Sequence, residues 1–256
     1  MKKELRIFFT ALMFYTRIPC PVWVDHSEDY LNKATRYFPL IGWLIGLAMA
    51  LVIYGCLFIL PISVCVILAL AVSVLMTGAF HEDGFGDVCD GFGGGWTKSQ
   101  ILEIMKDSRV GTYSVVGFIL LFALKMAVLI SLLELNQWFA LKSLVLAHVL
   151  SRWSSLTIVY THSYSREDAS SKIKPIAKEL TFKNLLIGSV WVLPALVLFN
   201  NWWIVAVFVP VYGMKVYLAA YFQKWIDGYT GDCLGAAQQI NEVVTLIYCL
   251  GVWKFI

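Results

Sequence analysis

Residues 38–60 read FPLIGWLIGLAMALVIYGCLFIL, and residues 62–80 read ISVCVILALAVSVLMTGAF; neither run contains a charged side chain. A helix of about 17–25 apolar residues spans the hydrocarbon core of a bilayer, so each run is long enough to cross one. Pro61 alone separates the two runs, which predicts a tight helical hairpin. Gly42 and Gly46 lie four residues apart and would let a second helix approach closely.

The composition of the whole chain supports this class of protein. Hydrophobic residues make up 59% of the 256 residues and charged residues 14%, whereas about 25% are charged in soluble proteins. The mean hydropathy is +0.73. We therefore expect residues 1–256 to form a single integral-membrane domain. The six cysteines are scattered without C-x-x-C pairs, which favours buried thiols over disulfides or a zinc site.

The remaining apolar runs extend the hairpin into an all-α, polytopic bundle. Seven spans are predicted, with six as the main alternative, because the run 185–199 is short for a span. Residues 1–37 mix apolar and basic positions at helical spacing and predict an amphipathic helix lying in the membrane interface. Its apolar positions are Leu5, Phe8, Phe9, Leu12 and Met13. The further predicted spans cover residues 113–133, 138–160, 185–199, 202–222 and 236–256.

Lysine and arginine residues predict the orientation. The N-terminal region holds six, and the loops after the second, fourth and sixth spans hold three, five and one. The hairpin turns at Pro61, residues 134–137 and residues 200–201 hold none. Because basic loops stay on the cytoplasmic side, we expect the long loops to face the cytoplasm from the inner membrane.

An acidic stretch, His81 to Gly91 (HEDGFGDVCDG), directly follows the second run. Asp83, Asp87 and Asp90 are spaced i, i+4, i+7, so a helix would place them on one face. Carboxylates stacked in this way repel each other unless a cation lies between them, and oxygen ligands suit Mg²⁺. A solvated loop whose acids cap helices is the alternative, but a cap needs one acid. The spacing favours a Mg²⁺ site.

The segment 106–112, KDSRVGT, lies at the start of the third predicted span. Lys106 and Arg109 have the charge to hold phosphate oxygens, and Asp107 offers a further carboxylate or a base. Anchoring at a basic membrane surface is the alternative for the two cations.

Four further candidates for the same site are Arg152, Asp232, Glu242 and His81. Arg152 lies inside a predicted span, where a charge is costly unless it faces a polar cavity or snorkels to the headgroups; Lys125 raises the same question more weakly. Asp232 would add a metal ligand, and Glu242 a base or ligand; a helix cap and a packed residue are the alternatives. His81 would be a ligand, a general base or a phosphate donor.

These residues together indicate a metal-assisted transfer at a phosphorus centre. Mg²⁺ on the aspartates would bridge a diphosphate, and a carboxylate or His81 would take a proton from the attacking hydroxyl. The chain contains no P-loop, GxSxG or HExxH motif, so nucleoside triphosphate hydrolysis and those hydrolase classes lack support.

Several short motifs follow one another along the chain. They are Thr16-Arg17-Ile18-Pro19, Phe38-Pro39-Leu40-Ile41-Gly42, Thr77-Gly78, His81-x-Asp83-Gly84-x-x-Asp87-x-x-Asp90-Gly91, Met105-x-Asp107-Ser108-x-x-Gly111-Thr112, Ser151-Arg152 and Gly231-Asp232-x-Leu234-Gly235-Ala236 with Glu242. Together they resemble the motifs of the cobalamin synthase (adenosylcobinamide-GDP ribazoletransferase) family. The chain departs from the usual family pattern at Glu82, where leucine is common, and at Lys106, where arginine is common.

The resemblance implies a Mg²⁺-dependent inner-membrane enzyme that joins adenosylcobinamide-GDP to α-ribazole or its 5′-phosphate and releases GMP. Its expected partners are those small molecules and the lipid bilayer, with no nucleic acid; a homo-oligomer stays open. A CDP-alcohol phosphotransferase is the nearest alternative, but Asp87-Val88 stands where that family places Ala-Arg. A cation or metabolite transporter is less favoured, because no internal repeat is evident and the acids cluster at one predicted interface.

Overall fold

The computed structural model describes residues 2–24, 27–165 and 179–255. Within these ranges the chain forms α-helices and three short 3-10 helices, and its one β contact is an isolated bridge between Tyr164 and Tyr229. The all-α prediction is therefore confirmed. The helices are α1 (Lys2–Tyr15), α2 (Glu28–Ala34), α3 (Phe38–Cys56), α4 (Ile62–Thr77), α5 (Phe80–Gly94), α6 (Lys98–Ile104), α7 (Thr112–Leu135), α8 (Gln137–Thr161), α9 (Phe182–Val190), α10 (Leu193–Val197), α11 (Phe208–Ile226) and α12 (Gly231–Val252).

The second apolar run does not continue as one straight helix. The helix α4 ends at Thr77, and Gly78 and Ala79 both take left-handed backbone conformations, with φ of 65° and 59°. Consecutive left-handed residues end a helix, so α5 starts again at an angle of 91° to α4. This bend turns the acidic stretch away from the direction of α4.

By length and apolar composition, fewer helices qualify as membrane spans than the seven that the sequence predicts. Among the described residues, three helical stretches are long and apolar enough to cross a membrane, Asp29–Cys56, Thr112–Leu135 and Trp202–Ile226, or four if the bent α4–α5 pair is one span. The prediction of one helix over residues 185–199 is wrong, because α9 ends at Val190 and α10 begins at Leu193. Helices α8 and α12 have spanning length, 25 and 22 residues, but carry many buried polar residues. A count of seven stays a prediction, as does the single domain 1–256.

Helix α8 forms the centre of the bundle, and nearly every residue from Phe139 to Val159 is buried. Helix α3 packs closely on it. A Cβ atom built on Gly42 would lie 2.4 Å from the His148 carbonyl oxygen, and one on Gly46 would lie 2.9 Å from the Val145 Cα. The predicted close approach at these glycines is confirmed, since a larger residue at either position would push the two helices apart.

The N-terminal helix is confirmed, but its buried face is rotated from the predicted one. Ile7, Ala11, Leu12 and Tyr15 are buried, whereas Leu5 is 51% exposed. Whether the helix lies in a membrane interface stays a prediction. The basic loop predicted between the fourth and fifth spans falls largely outside the described residues, because it includes residues 166–178.

We expect Gly78→Ala to destabilise the protein, because it places a side chain on a left-handed residue. The built Cβ also lies 2.2 Å from Arg17 Nε and 2.9 Å from Arg17 Cγ. The left-handed conformation alone costs about 1–2 kcal/mol. Thermal unfolding in detergent measures the change. The matched control is Gly213→Ala within α11, where a Cβ meets nothing within 4 Å and where alanine favours helix. Equal stability of both variants would contradict the role of the bend.

Candidate active site

The acidic stretch forms the helix α5, and its two sides differ sharply. Asp83 is exposed and Asp87 and Asp90 are half-buried, whereas His81 and Glu82 are buried within the bundle. The predicted sharing of one helical face by the three aspartates follows from this helix. The helix therefore presents carboxylates outward and two ionisable side chains inward.

Helices α5 and α12 touch backbone to backbone. A Cβ built on Gly84 would lie 2.9 Å from the Asp232 Cα, and one on Gly235 would lie 3.1 Å from the His81 carbonyl oxygen. Because Gly84 directly follows Asp83, this contact brings the first turn of α12 beside the first turn of α5. Asp232, which is half-buried and accepts a hydrogen bond from Thr230 Oγ1 at 3.3 Å, thus lies next to the acidic face.

Asp90 caps a helix, which is the role that the sequence left as the alternative for these acids. Its carboxylate accepts hydrogen bonds from the Gly111 amide at 2.7 Å, the Ser114 amide at 3.0 Å and the Ser114 hydroxyl at 2.6 Å. These donors lie at the start of α7, so Asp90 caps that helix from outside. Asp90 also lies about 10 Å along the helix axis from Asp83, at 1.5 Å per residue. Its predicted role as a metal ligand stays a prediction.

The segment between α6 and α7 carries the predicted cationic residues. Arg109 Nε donates to both carboxylate oxygens of Asp107, at 3.0 and 2.9 Å, and the Arg109 amide donates to Asp107 Oδ1 at 3.1 Å. This pairing lowers the pKa of Asp107, which therefore stays ionised. Lys106 and Arg109 are exposed. Through the bond from Gly111 to Asp90, the segment is held against the C-terminal half of α5.

His81 lies at the inner side of α5 among aromatic rings. Its ring stacks on Phe38 with centroids 5.4 Å apart, and Tyr15 and Phe80 flank it. Both ring nitrogens are buried and find no hydrogen-bond partner within the described part of the chain. A buried polar atom without a partner costs about 1–3 kcal/mol, so these nitrogens are available to a ligand or water.

Arg152 and Glu242 lie in the bundle interior and not on the exposed face. Arg152 is 1% exposed; its Nη1 donates to the His148 carbonyl at 3.0 Å, and its guanidinium lies over the Phe38 ring at 5.6 Å. Glu242 is 2% exposed and accepts from Lys125 Nζ at 2.7 Å. Their predicted roles in phosphate binding and catalysis stay predictions.

Sequence reasoning missed three polar neighbours of this interior pair: His148, Gln238 and Gln239. All are buried and lie on long helices, α8 and α12. The signal that could have found them is polar side chains recurring on helices whose surroundings are otherwise apolar.

The carboxylates of this site suit one mode of Mg²⁺ binding, in which substrate and water supply most of the ligands. Within the described ranges, no three or more His, Cys, Asp or Glu side chains converge as a metal site. Mg²⁺ is usually held by one or two carboxylates together with substrate phosphates and water, and not by an all-protein cage. Asp83, Asp87 and the adjacent Asp232 are compatible with that mode of binding.

The fold and this site define a polytopic, all-α membrane protein with carboxylate and basic side chains gathered where α5, α7 and α12 meet. Comparison with known proteins identifies it further. The family model described as cobalamin-5-phosphate synthase matches residues 7–250, so the chain belongs to that family. The family resemblance inferred from the motifs is confirmed.

Curated relatives match over almost their whole length. A protein of Shewanella frigidimarina named adenosylcobinamide-GDP ribazoletransferase is 44% identical over 250 residues, 98% of this chain and 96% of the relative. One of Shewanella amazonensis with the same name is 44% identical over 255 residues, covering 99% and 98%. A third, from Shewanella oneidensis, is 39% identical over 250 residues, covering 98% and 95%. No solved structure matches the chain.

We expect Asp90→Ala to lower the thermal stability of the protein, because it removes the acceptor for three donors at the start of α7. Loss of a helix cap costs about 0.5–2 kcal/mol. Asp83→Ala is the matched control, since Asp83 is exposed and should unfold at nearly the wild-type temperature. If the two variants unfold alike, the capping role of Asp90 is wrong.

Proposed function

We propose that this chain transfers the adenosylcobinamide-phosphate group of adenosylcobinamide-GDP to α-ribazole or its 5′-phosphate, giving adenosylcobalamin or its 5′-phosphate and releasing GMP. The observation that carries the proposal is the carboxylate face of α5 beside Asp232, in a chain whose relatives over almost their whole length are named adenosylcobinamide-GDP ribazoletransferases.

In this reaction a hydroxyl of ribazole attacks the phosphorus that carries cobinamide, and the bond from that phosphorus to the oxygen of GMP breaks. The hydroxyl proton must pass to a base, and negative charge develops on the departing phosphate. The chain thus needs a proton acceptor and groups that hold the diphosphate in place.

One or two of the carboxylates of Asp83, Asp87 and Asp232 would hold Mg²⁺ together with the diphosphate. When bound, the cation neutralises the charge that develops on the leaving phosphate. Asp83 and Asp87 lie one helical turn apart, and the contact at Gly84 holds Asp232 beside them. The three hydrogen bonds of Asp90 favour a capping role for that residue over direct coordination.

Lys106 and Arg109 would bind phosphate oxygens. Both are exposed at the segment next to α5, and Arg109 directs two of its donors to Asp107. An entering phosphate would compete with Asp107 for that guanidinium, since a carboxylate and a phosphate can each accept two hydrogen bonds from its planar fork of donors. Release from Arg109 would leave the Asp107 carboxylate free to accept a proton.

His81 is the second proton acceptor that we propose. Its two buried nitrogens lack partners among the described residues, and a neutral imidazole accepts one proton. The pH dependence of GMP release by single variants of Asp107 and of His81 would show which of the two acts as the base.

We further propose that the protein lies in the cytoplasmic membrane with the acidic face toward the cytoplasm, where its polar substrates are made. The charge distribution of the loops supports this orientation. A transporter is less well supported, because Asp83, Asp87 and Asp90 lie together on one helix at one end of the bundle. A homo-oligomer stays a prediction without support from the residues described.

We expect Asp83→Ala and Asp87→Ala each to lower kcat for GMP release by about 10²-fold or more, since each removes a group that orients the diphosphate. The assay incubates purified protein with adenosylcobinamide-GDP, α-ribazole and Mg²⁺ and measures GMP. Glu134→Gln is the matched control, because Glu134 is an exposed acid at the opposite end of α7. Wild-type protein that releases no GMP would refute the proposed function.

Removal of the divalent cation tests the metal separately. We expect EDTA to abolish GMP release and added Mg²⁺ to restore it, because the diphosphate charge is then again neutralised. A direct readout is the binding of Mn²⁺ in the presence of adenosylcobinamide-GDP, measured by electron paramagnetic resonance. Undiminished binding by Asp83→Ala would show that this carboxylate holds no cation.

A further inference from the structure

A buried polar network connects the inner side of α5 to three other helices. At its centre lies an ion pair between Lys125 of α7 and Glu242 of α12, with Nζ and Oε1 2.7 Å apart and both side chains no more than 3% exposed. Glu242 Oε2 accepts from Gln238 Nε2 at 2.6 Å and lies 3.3 Å from His148 Nδ1 of α8. The pair thus ties three helices together.

Gln239 joins this ion pair to α5. Its side-chain oxygen accepts from Lys125 Nζ at 2.6 Å, and its Nε2 donates to Glu82 Oε1 at 3.0 Å and to Gln238 Oε1 at 2.9 Å. Gln239 is 2% exposed and Glu82 is 6% exposed. The Gln239 amide therefore bonds to the Lys125 ammonium group on one side and to the Glu82 carboxylate of α5 on the other.

The position of Glu82 makes this link important for the outer face. Glu82 and Asp83 are neighbours on α5, and a helix turns by about 100° per residue. A rotation of α5 that displaces Glu82 from Gln239 therefore displaces Asp83 and Asp87 by the same angle. The glycine contact with α12 sets the distance between the helices, and the hydrogen bonds of Asp90 hold the far end of α5. The bond between Glu82 and Gln239 is the side-chain contact that acts directly next to Asp83.

Stability gives no adequate reason for keeping these charges. A buried ion pair is often no more stabilising than apolar side chains of the same volume, and ionisable groups inside a membrane protein are costly. A hydrogen-bonded network of fixed geometry instead favours one arrangement of its helices over others.

We propose that Gln239 is a positioning residue, whose amide couples the Lys125–Glu242 ion pair to Glu82 and so fixes the rotation of α5 that presents Asp83 and Asp87 to the substrate. This inference rests on the proposed function for the meaning of that orientation. Gln239 touches no reacting atom; it acts through Glu82.

The first test is kinetic. We expect Gln239→Leu to lower kcat for GMP release by about 10- to 100-fold, because misplacement of reacting groups by 1 Å costs about that much, with a smaller change in KM. The matched control is Gln223→Leu, since Gln223 is exposed near the end of α11, and it should retain the wild-type kcat. All assays run well below the unfolding temperature, on protein that elutes as folded.

A swap of the two side chains separates positioning from mere packing. The double variant Glu82→Gln with Gln239→Glu keeps one donor and one acceptor between the helices, keeps an acceptor for Lys125, and leaves the net charge of the network unchanged. We expect it to recover kcat to near the wild-type value. Wild-type kcat in Gln239→Leu, or a folded swap variant as inactive as Gln239→Leu, would overturn the proposal.

A cross-link reports the rotation of α5 without any activity. A Cβ built on Gly117 of α7 lies 3.6 Å from the Cys89 Cβ of α5, within the range for a disulfide. We expect Gly117→Cys to cross-link to Cys89 under mild oxidation, more slowly when combined with Gln239→Leu, and again at the original rate with the swap. Cys89→Ser shows which thiol reacts. Equal rates in all backgrounds would overturn the positioning role, and this result can be read even if the wild type releases no GMP.

Discussion

The contact between α5 and α12 is the constraint on which the site depends. Gly84 and Gly235 remove the side chains that would separate these helices, so Asp232 lies beside the acidic face. The other features of the site follow from this approach. The bend at Gly78 and Ala79 directs α5 across the end of the bundle to α12, and the bond from Asp90 to the start of α7 holds the far end of α5. Three separate contacts therefore fix one short helix.

Much of the fold was predictable, because the hydropathy of a short stretch of sequence is enough to indicate a membrane-spanning helix. Apolar runs of spanning length predicted α3, α4 and α7 with errors of a few residues at their ends, and the run 202–222 covers a 3-10 helix, Trp202–Val207, and most of α11. The bend between α4 and α5 was not predictable from hydropathy, since Ala79 is a good helix former that adopts a left-handed conformation only in its tertiary context. The break between α9 and α10 differs in kind, because Trp191 and Val192 keep right-handed helical dihedrals and Pro194 lies in the first turn of α10.

The site was predictable where it depends on spacing within one helix. Asp83, Asp87 and Asp90 share a face because helical periodicity requires it. The partners of these residues were not predictable, because Ser114 lies 24 positions from Asp90 and Gln239 lies 157 positions from Glu82. The burial of Arg152 and Glu242 was equally hidden. A sequence shows that a charge lies in an apolar run, but the partner that stabilises it comes from another helix.

This bundle contains two kinds of polar site, which differ in whether the protein itself supplies partners for their charged groups. The outward carboxylates of α5 repel each other, and in the function that we propose a cation and a diphosphate would offset this repulsion. In the inward network Lys125 and Glu242 have their partners within hydrogen-bond distance, whereas Glu82 Oε2 and His148 Nε2 find none among the described residues. A satisfied network is rigid, whereas an unsatisfied one accepts ligands. Glu82 and Asp83 place these two properties on adjacent residues, so the rigid interior can orient the face that is left open for substrate.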